Sequence, residues 1–203
     1  MQNHSMIKLV AFDLSGVLFI ESHIVRNLLY PMLPEPKDYR EVKEKYKRFR
    51  SGEITSHQFW KSILGKDGES FERKYLDSFV LDPHYFDVVT YLKEKYKLAI
   101  LSNMPAEWGD YLIKKFGFEA LFDPIVISGK VRASKPNKNI YKILQKKSKV
   151  PFEQMIFIDD KKKCLKPASQ LGMKTVWFNR ERDEFDFHPH YIIKSLQDLK
   201  KIL

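Results

Sequence analysis

Asp13, Ser15, Ser102, Asn103, Lys135, Asp159 and Asp160 are the residues whose types and spacing could do chemistry. Carboxylates are hard oxygen ligands of the kind Mg²⁺ takes. Hydroxyls, amides and an ammonium are donors for an anion. Singly, each has an ordinary structural reading. Asp13 could cap a turn in which Gly16 supplies a permissive backbone. Ser102-Asn103 could be turn chemistry ahead of Pro105. Lys135 stands at the N-cap position before Pro136, where a cation opposes the helix dipole and cannot cap; an anionic partner accounts for it better. Asp159-Asp160 could cap a helix, yet two adjacent carboxylates repel unless a cation sits with them.

These residues matter jointly because each follows a short apolar run. Runs 7–12, 98–101, Ile125–Ile127, 155–158 and 175–178 are β-branched and aromatic, with Tyr191–Ile193 a weaker sixth. They read as strands buried on both faces. Helical patterns alternate with them at 82–96, 105–116, 136–148, 162–171 and 195–203. That alternation predicts an α/β fold, a Rossmann-like parallel sheet flanked by helices. Ligands of such sheets bind beyond the carboxyl ends of the strands. Asp13 and Ser15 follow the first run, Ser102 and Asn103 the second, Ser128 and Gly129 the third (with Lys135 shortly after), and Asp159-Asp160 the fourth. The carboxylates, hydroxyls and ammonium should therefore gather at one edge.

Between the first and second runs the rhythm breaks. Helical stretches at 22–30, 36–50, 56–64 and 69–80 fill the gap, the third opened by a capping box of Thr55 and Gln58. An α-helical insertion after the first strand is predicted. The expected division is a core of 6–20 and 84–203 with a helical cap at 21–83. Residues 1–5 read as a leader or tag ahead of a start at Met6.

The chain has 203 residues, of which 43% are hydrophobic and 14% aromatic, enough for a core and against global disorder. One cysteine, Cys164, forms no intrachain disulfide, which favours a reducing, cytoplasmic setting. No apolar run approaches the ~20 residues of a membrane span, so no membrane partner is expected. The net charge of +10 is uneven: residues 130–149 hold eight Lys/Arg and no Asp or Glu, and 37–50 hold seven basic and three acidic residues. The plain reading is solvated helix faces. A field for small anions ranks above nucleic acid, because no zinc-ligand spacing or recognition motif accompanies it. Oligomeric state is not legible.

Four elements resemble the motifs of the haloacid dehalogenase superfamily of hydrolases: 13–18 (DLSGVL), Leu101-Ser102-Asn103, Ser134-Lys135-Pro136, and Ile158-Asp159-Asp160. Gly52-Glu53-Ile54-Thr55 with Phe59-Trp60 is similar to the helical cap of the branch that includes the phosphatase domain of soluble epoxide hydrolases. The resemblance implies that Asp13 is a nucleophile forming an aspartyl-phosphate. It implies that Asp160, Asp13 and the Ser15 carbonyl hold Mg²⁺, supported by Asp159. Ser102 and the Asn103 backbone would bind phosphate oxygens, and Lys135 would neutralise the transferring group. The substrate would be a small phosphorylated metabolite.

The sequence departs from that pattern at Ser15, where family phosphatases carry an Asp as general acid. A hydroxyl is a poor acid, and losing such a group costs ~10²–10⁴-fold in rate. The competing expectation is a catalytically impaired phospho-ligand-binding or regulatory protein. Cys164 reads as a small helix residue, His188 and His190 as loop residues, and Trp60, Trp108 and Trp177 as packing residues.

Overall fold

The computed structural model describes residues 6–180 and 184–203, so the 1–5 segment lies outside the described residues. β1 (Leu9–Phe12), β2 (Lys97–Ser102), β3 (Ile125–Ile127), β4 (Met155–Asp159), β5 (Lys174–Phe178) and β6 (Tyr191–Ile193) form one parallel sheet in the order β3-β2-β1-β4-β5-β6. The chain turns one way from β1 to β2 and β3, and the other way to β4, β5 and β6. The switch between β1 and β4 is where such sheets open a crevice for ligands.

Period-2 alternation sends successive side chains to opposite faces. Leu9, Ala11, Leu101 and Phe157 pack under the helices Lys138–Ser148 and Lys162–Gln170. Val10, Phe12, Ile100 and Ile158 pack on the other side, under Tyr85–Lys93 and Ala106–Phe116. All four residues of β1 are buried, as an interior strand of a covered sheet requires. At the edge, β6 leaves Tyr191 and Ile192 exposed.

Among the described residues, three longer helices lie between β1 and the helix Tyr85–Lys93: Tyr39–Arg50, Ser56–Leu64 and Glu69–Asp77. Asp38 caps the first through the amides of Arg40 (2.7 Å) and Glu41 (3.0 Å). Thr55 and Gln58 form the expected capping box on the second. Their buried stripes converge on Trp108 of the helix Ala106–Phe116. The rings of Tyr46, Phe49, Phe59, Trp60 and Tyr75 all lie between 4.7 and 6.0 Å from it, centroid to centroid. Polar ties lock the same contact: Ser128 Oγ donates to the Arg50 carbonyl at 2.6 Å, and Glu107 accepts from the Ser56 amide at 3.0 Å. Gly52 permits the approach, since its φ is +78° and a Cβ there would stand 2.5 Å from the Gly129 carbonyl oxygen.

The two crossings into and out of the insertion run side by side, with Ile20 N donating to Val80 O and Asp82 N to Leu18 O. Arg180, just past β5, grips this neck. It donates to the carbonyls of Gly16 and Val17 and pairs with Asp82.

Several boundaries differ from the sequence reading. β1 begins at Leu9 rather than residue 7, because the Lys8 amide already bonds Gln154 at the sheet's end. The 82–96 helix begins only at Tyr85: the Asp82 carboxylate accepts from His84, which spends it on the preceding turn. The 22–30 segment is a π-helical turn, Val25–Leu29. Residues 195–203 form a 3₁₀ turn, Leu196–Asp198, and then a single short turn, Leu199–Ile202. Ser128 and Gly129 begin a short helix and hold the insertion rather than joining the strand-end cluster.

Trp108 joins the insertion to the sheet's covering helix. Trp108→Ala should lower the unfolding free energy by about 3–5 kcal/mol, measured by urea titration. One transition followed by both far-UV circular dichroism and tyrosine fluorescence is expected, since the insertion and the sheet share this core.

Candidate active site

Strand register brings the first two carboxylates together. Phe12 pairs with Ile158, so Asp13 and Asp159 emerge side by side from β1 and β4. The Lys135 ammonium sits against both, 2.6 Å from Asp159 Oδ2 and 3.1 Å from Asp13 Oδ1. Asp13 Oδ1 also accepts from the Leu14 amide, and Asp159 Oδ1 from the Lys161 amide, each at 2.8 Å. Lys135 is 3% exposed and lies over the Phe157 ring at 5.0 Å.

Asn103 sets the Lys135 backbone. Its side-chain amide donates to the Lys135 carbonyl and its oxygen accepts from the Lys135 amide, both at 2.8 Å. This places Asn103 beside Lys135 through its side chain, a job the sequence reading missed when it considered only the Asn103 backbone. The N-cap reading of Lys135 is also corrected. Asn137 caps the helix Lys138–Ser148 through the Asn139 amide, a better acceptor than any lysine, and Lys135 lies ahead of it in the turn.

Asp160 completes the group. Oxygens of Asp13, Asp159 and Asp160 all lie within 4.8 Å of one another. The Asp160 carbonyl accepts from Trp177 Nε1 at 3.0 Å, and its Oδ2 lies 3.5 Å from Lys161 Nζ. Its Oδ1 is buried and has no hydrogen-bond partner among the described residues. Burial pushes the Asp159 carboxyl up to about 7, with Asp13 and Asp160 adding to the rise and Lys135 opposing it. Burial raises Asp160 as well, against the pull of Lys161. Burial alone would lower Lys135, but Asp13 and Asp159 outweigh it and hold the ammonium protonated.

Three carboxylates against two ammonium groups, with one oxygen unpaired, suit a divalent cation with oxygen ligands. Gly16 keeps room for it. Its φ is +74°, and a Cβ there would stand 2.5 Å from Asp160 Oδ2. The donor set therefore fits Mg²⁺.

A cavity of about 270 Å³ opens over this group. Asp13, Ser15, Asn103, Lys135 and Lys161 line it from the sheet side, and Tyr39, Lys43, Tyr46, Lys47 and Arg50 from the helix Tyr39–Arg50. Ser15 is buried and its hydroxyl has no partner. The Ser102 hydroxyl is likewise buried and partnerless, beneath the cavity rather than on its wall. The sequence reading missed the insertion's lining residues, having taken 37–50 as a solvated face. The signal was there: Lys43, Lys47 and Arg50 share one helix face beside the buried stripe of Val42, Tyr46 and Phe49.

Cys164 and the two histidines lie in the kinds of element expected of them. Cys164 is buried in the helix Lys162–Gln170, and burial pushes its thiol well above the ordinary range. His188 and His190 are exposed, with His190 Nδ1 bonded to Thr175 Oγ1.

Comparison with known proteins places this geometry. A family model described as haloacid dehalogenase-like hydrolase matches residues 10–178. Among curated relatives, (S)-2-haloacid dehalogenase 2 of Pseudomonas sp. (strain CBS-3) is 28% identical over 52% of this chain and 48% of its own length. The chain thus spans about half the length of that relative. Glyceraldehyde 3-phosphate phosphatase of Methanopyrus kandleri is 27% identical over 86% of this chain and 85% of its own. A HAD family enzyme of Bacteroides thetaiotaomicron, solved with magnesium and inorganic phosphate, superposes with a TM-score of 0.69 at 22% identity, over 88% of this chain and 98% of its own.

Lys135 is the cation between two buried carboxylates. Lys135→Ala in metal-free buffer should destabilise the protein by about 3–5 kcal/mol. The exposed Lys147→Ala should change stability by no more than about 0.5 kcal/mol. Denaturant midpoints of the two variants check the contrast.

Proposed function

The chain belongs to the haloacid dehalogenase-like hydrolases, and on that premise we propose that it is an Mg²⁺-dependent hydrolase of small phosphate monoesters, with Asp13 as nucleophile. The observation that carries the reading is the buried Asp13–Lys135–Asp159 arrangement with the partnerless Asp160 oxygen beside it, opening onto a cavity. The phosphatase relative and the neighbour bound to magnesium and phosphate support it.

In this reading an Asp13 carboxylate oxygen attacks phosphorus as the bond to the leaving oxygen breaks, giving an aspartyl-phosphate. Water then cleaves that mixed anhydride and restores Asp13. A carboxylate nucleophile divides one hard displacement into two easier ones. Asp13, Asp159, Asp160 and the Ser15 carbonyl would hold Mg²⁺, which when bound neutralises charge on the phosphoryl oxygens. Lys135 counters the same charge from the protein side, its ammonium 3.1 Å from Asp13 Oδ1. The Ser102 hydroxyl and the Asn103 backbone amide would orient the phosphoryl oxygens. Residues 21–83 serve as the cap over a core of 6–20 and 84–203, excluding water and selecting the substrate.

Ser15 sits two residues beyond Asp13, where a proton donor to the leaving group belongs. Its partnerless buried hydroxyl favours a second reading, in which the protein binds phosphorylated ligands and turns them over weakly.

Two measurements test this. Mg²⁺ at millimolar concentration should raise the melting temperature relative to EDTA, because it binds only the native site; Asp160→Asn should lose that shift. A shift equal in both proteins refutes the metal site. In turnover, wild type should cleave p-nitrophenyl phosphate, whose leaving group needs little protonation, and alkyl phosphates far more slowly. Ser15→Asp should raise alkyl kcat/KM more than aryl, and Asp13→Asn should abolish both. Equal wild-type rates on both classes would take the acid role away from residue 15. Mg²⁺-dependent phosphate binding without turnover in either protein selects the binding reading.

A further inference from the structure

The cavity carries more positive charge than one phosphate group needs. Of its lining cations, Lys135 is matched by Asp13 and Asp159, Lys161 by Asp160, and Lys47 lies 3.8 Å from Glu44. Lys43, Arg50 and Lys163 have no carboxylate partner among the described residues. Bound Mg²⁺ and a phosphoryl dianion would cancel each other, and the one carboxylate that Lys135 and Lys161 leave over offsets only one of these three, so two cations stay undischarged.

Most of the cavity's remaining cations come from the insertion, not from the strand ends that carry the acidic group. Lys43, Lys47 and Arg50 follow one another at i, i+4 and i+7 on the helix Tyr39–Arg50, and so form one stripe of it. Lys163 lines the cavity from another element, the helix Lys162–Gln170. Tyr46 lines it from the same helix as Arg50, within electrostatic reach of both Arg50 and Asp13. Arg50 is held in place from behind, its carbonyl bonded to Ser128 and its neighbour Phe49 packed on Trp108. A helix merely displaying lysines to solvent would not need an anchored, half-buried arginine at the cavity wall.

We infer that Lys43, Lys47 and Arg50, together with Lys163 on the same cavity, form a second anion subsite, so that the substrate is a small phosphate monoester carrying another anionic group, a phosphate or a carboxylate, at its far end. At about 270 Å³ the cavity is just below the ~300–1,000 Å³ common for metabolite sites, which sets a small substrate. The inference rests on the hydrolase reading for its reacting end.

The test uses three phenyl phosphates whose para substituents are hydroxymethyl, carboxymethyl and phosphonomethyl. The methylene keeps the leaving groups nearly alike, so any shortfall in protonation at Ser15 is common to all three and drops out of their ratio. Wild type with Mg²⁺ should prefer at least one anionic member over the neutral one by about tenfold or more in kcat/KM. The better of the two anionic members identifies carboxylate or phosphate as the second group. Arg50→Gln and Lys43→Gln, separately and together, should bring the anionic-to-neutral ratio toward one. Lys146→Gln, outside the cavity, should leave the ratio unchanged. Equal rates on all three substrates overturn the subsite and leave the hydrolase reading standing. A ratio lowered as much by Lys146→Gln as by Arg50→Gln also overturns it, in favour of diffuse charge. If nothing is hydrolysed, the hydrolase reading fails by itself. Thermal shifts with propane-1,3-bisphosphonate against propylphosphonate then decide the subsite: a larger bisphosphonate shift that Arg50→Gln removes supports it, and equal shifts overturn it.

Discussion

One ammonium between two carboxylates governs the arrangement of this protein. Parallel pairing of β1 with β4 leaves Asp13 and Asp159 no choice but to emerge as neighbours, in a place nearly closed to water. Two buried like charges at that separation would protonate or push the strands apart. Lys135 answers both at once, and the rest of the edge serves that contact. Asn103 from the end of β2 fixes its backbone, and the Phe157 ring from β4 lies beside its charge. Asp160 is then left with an oxygen that no protein group satisfies. A site built this way is held as an ionic assembly, with three carboxylates against two ammonium groups.

The second constraint is the floor-to-roof distance, which the insertion sets. Its helices do not rest on the sheet through scattered contacts. Five aromatic rings close on Trp108, and Ser128 and Glu107 tie the backbone of the insertion down on the same side. At the neck, Arg180 spans from the end of β5 to the carbonyls of Gly16 and Val17 and to Asp82. The loop that carries Ser15 and the strand leaving the insertion are therefore held by the same guanidinium.

Much of this was legible in the sequence because it is encoded locally. Buried parallel strands have no polar alternation, so their ends could be found, and the residues just beyond those ends could be compared as a group. The resemblance of 13–18 and of Ser134-Lys135-Pro136 to family motifs added roles to positions. What escaped reading was set by contacts far apart in the chain. Asn103 looks like turn chemistry until Lys135 is seen beside it, and nothing near Arg180 announces that it binds residues 16 and 82. The stripe of Lys43, Lys47 and Arg50 was visible as a helix face. Which way that face turned depended on Trp108, more than fifty residues on.

The central claim is that Asp13 attacks phosphorus while Lys135 and the acidic group hold the charge. It is tested most directly by stopping the wild-type protein with acid during turnover of acetyl phosphate and Mg²⁺. Borohydride then converts an acyl phosphate on an aspartate to homoserine, which peptide mass spectrometry locates. The account predicts homoserine at position 13 and nowhere else, and none when Mg²⁺ is replaced by EDTA. Turnover that leaves Asp13 unmodified, or homoserine at position 159 or 160 instead, would contradict it.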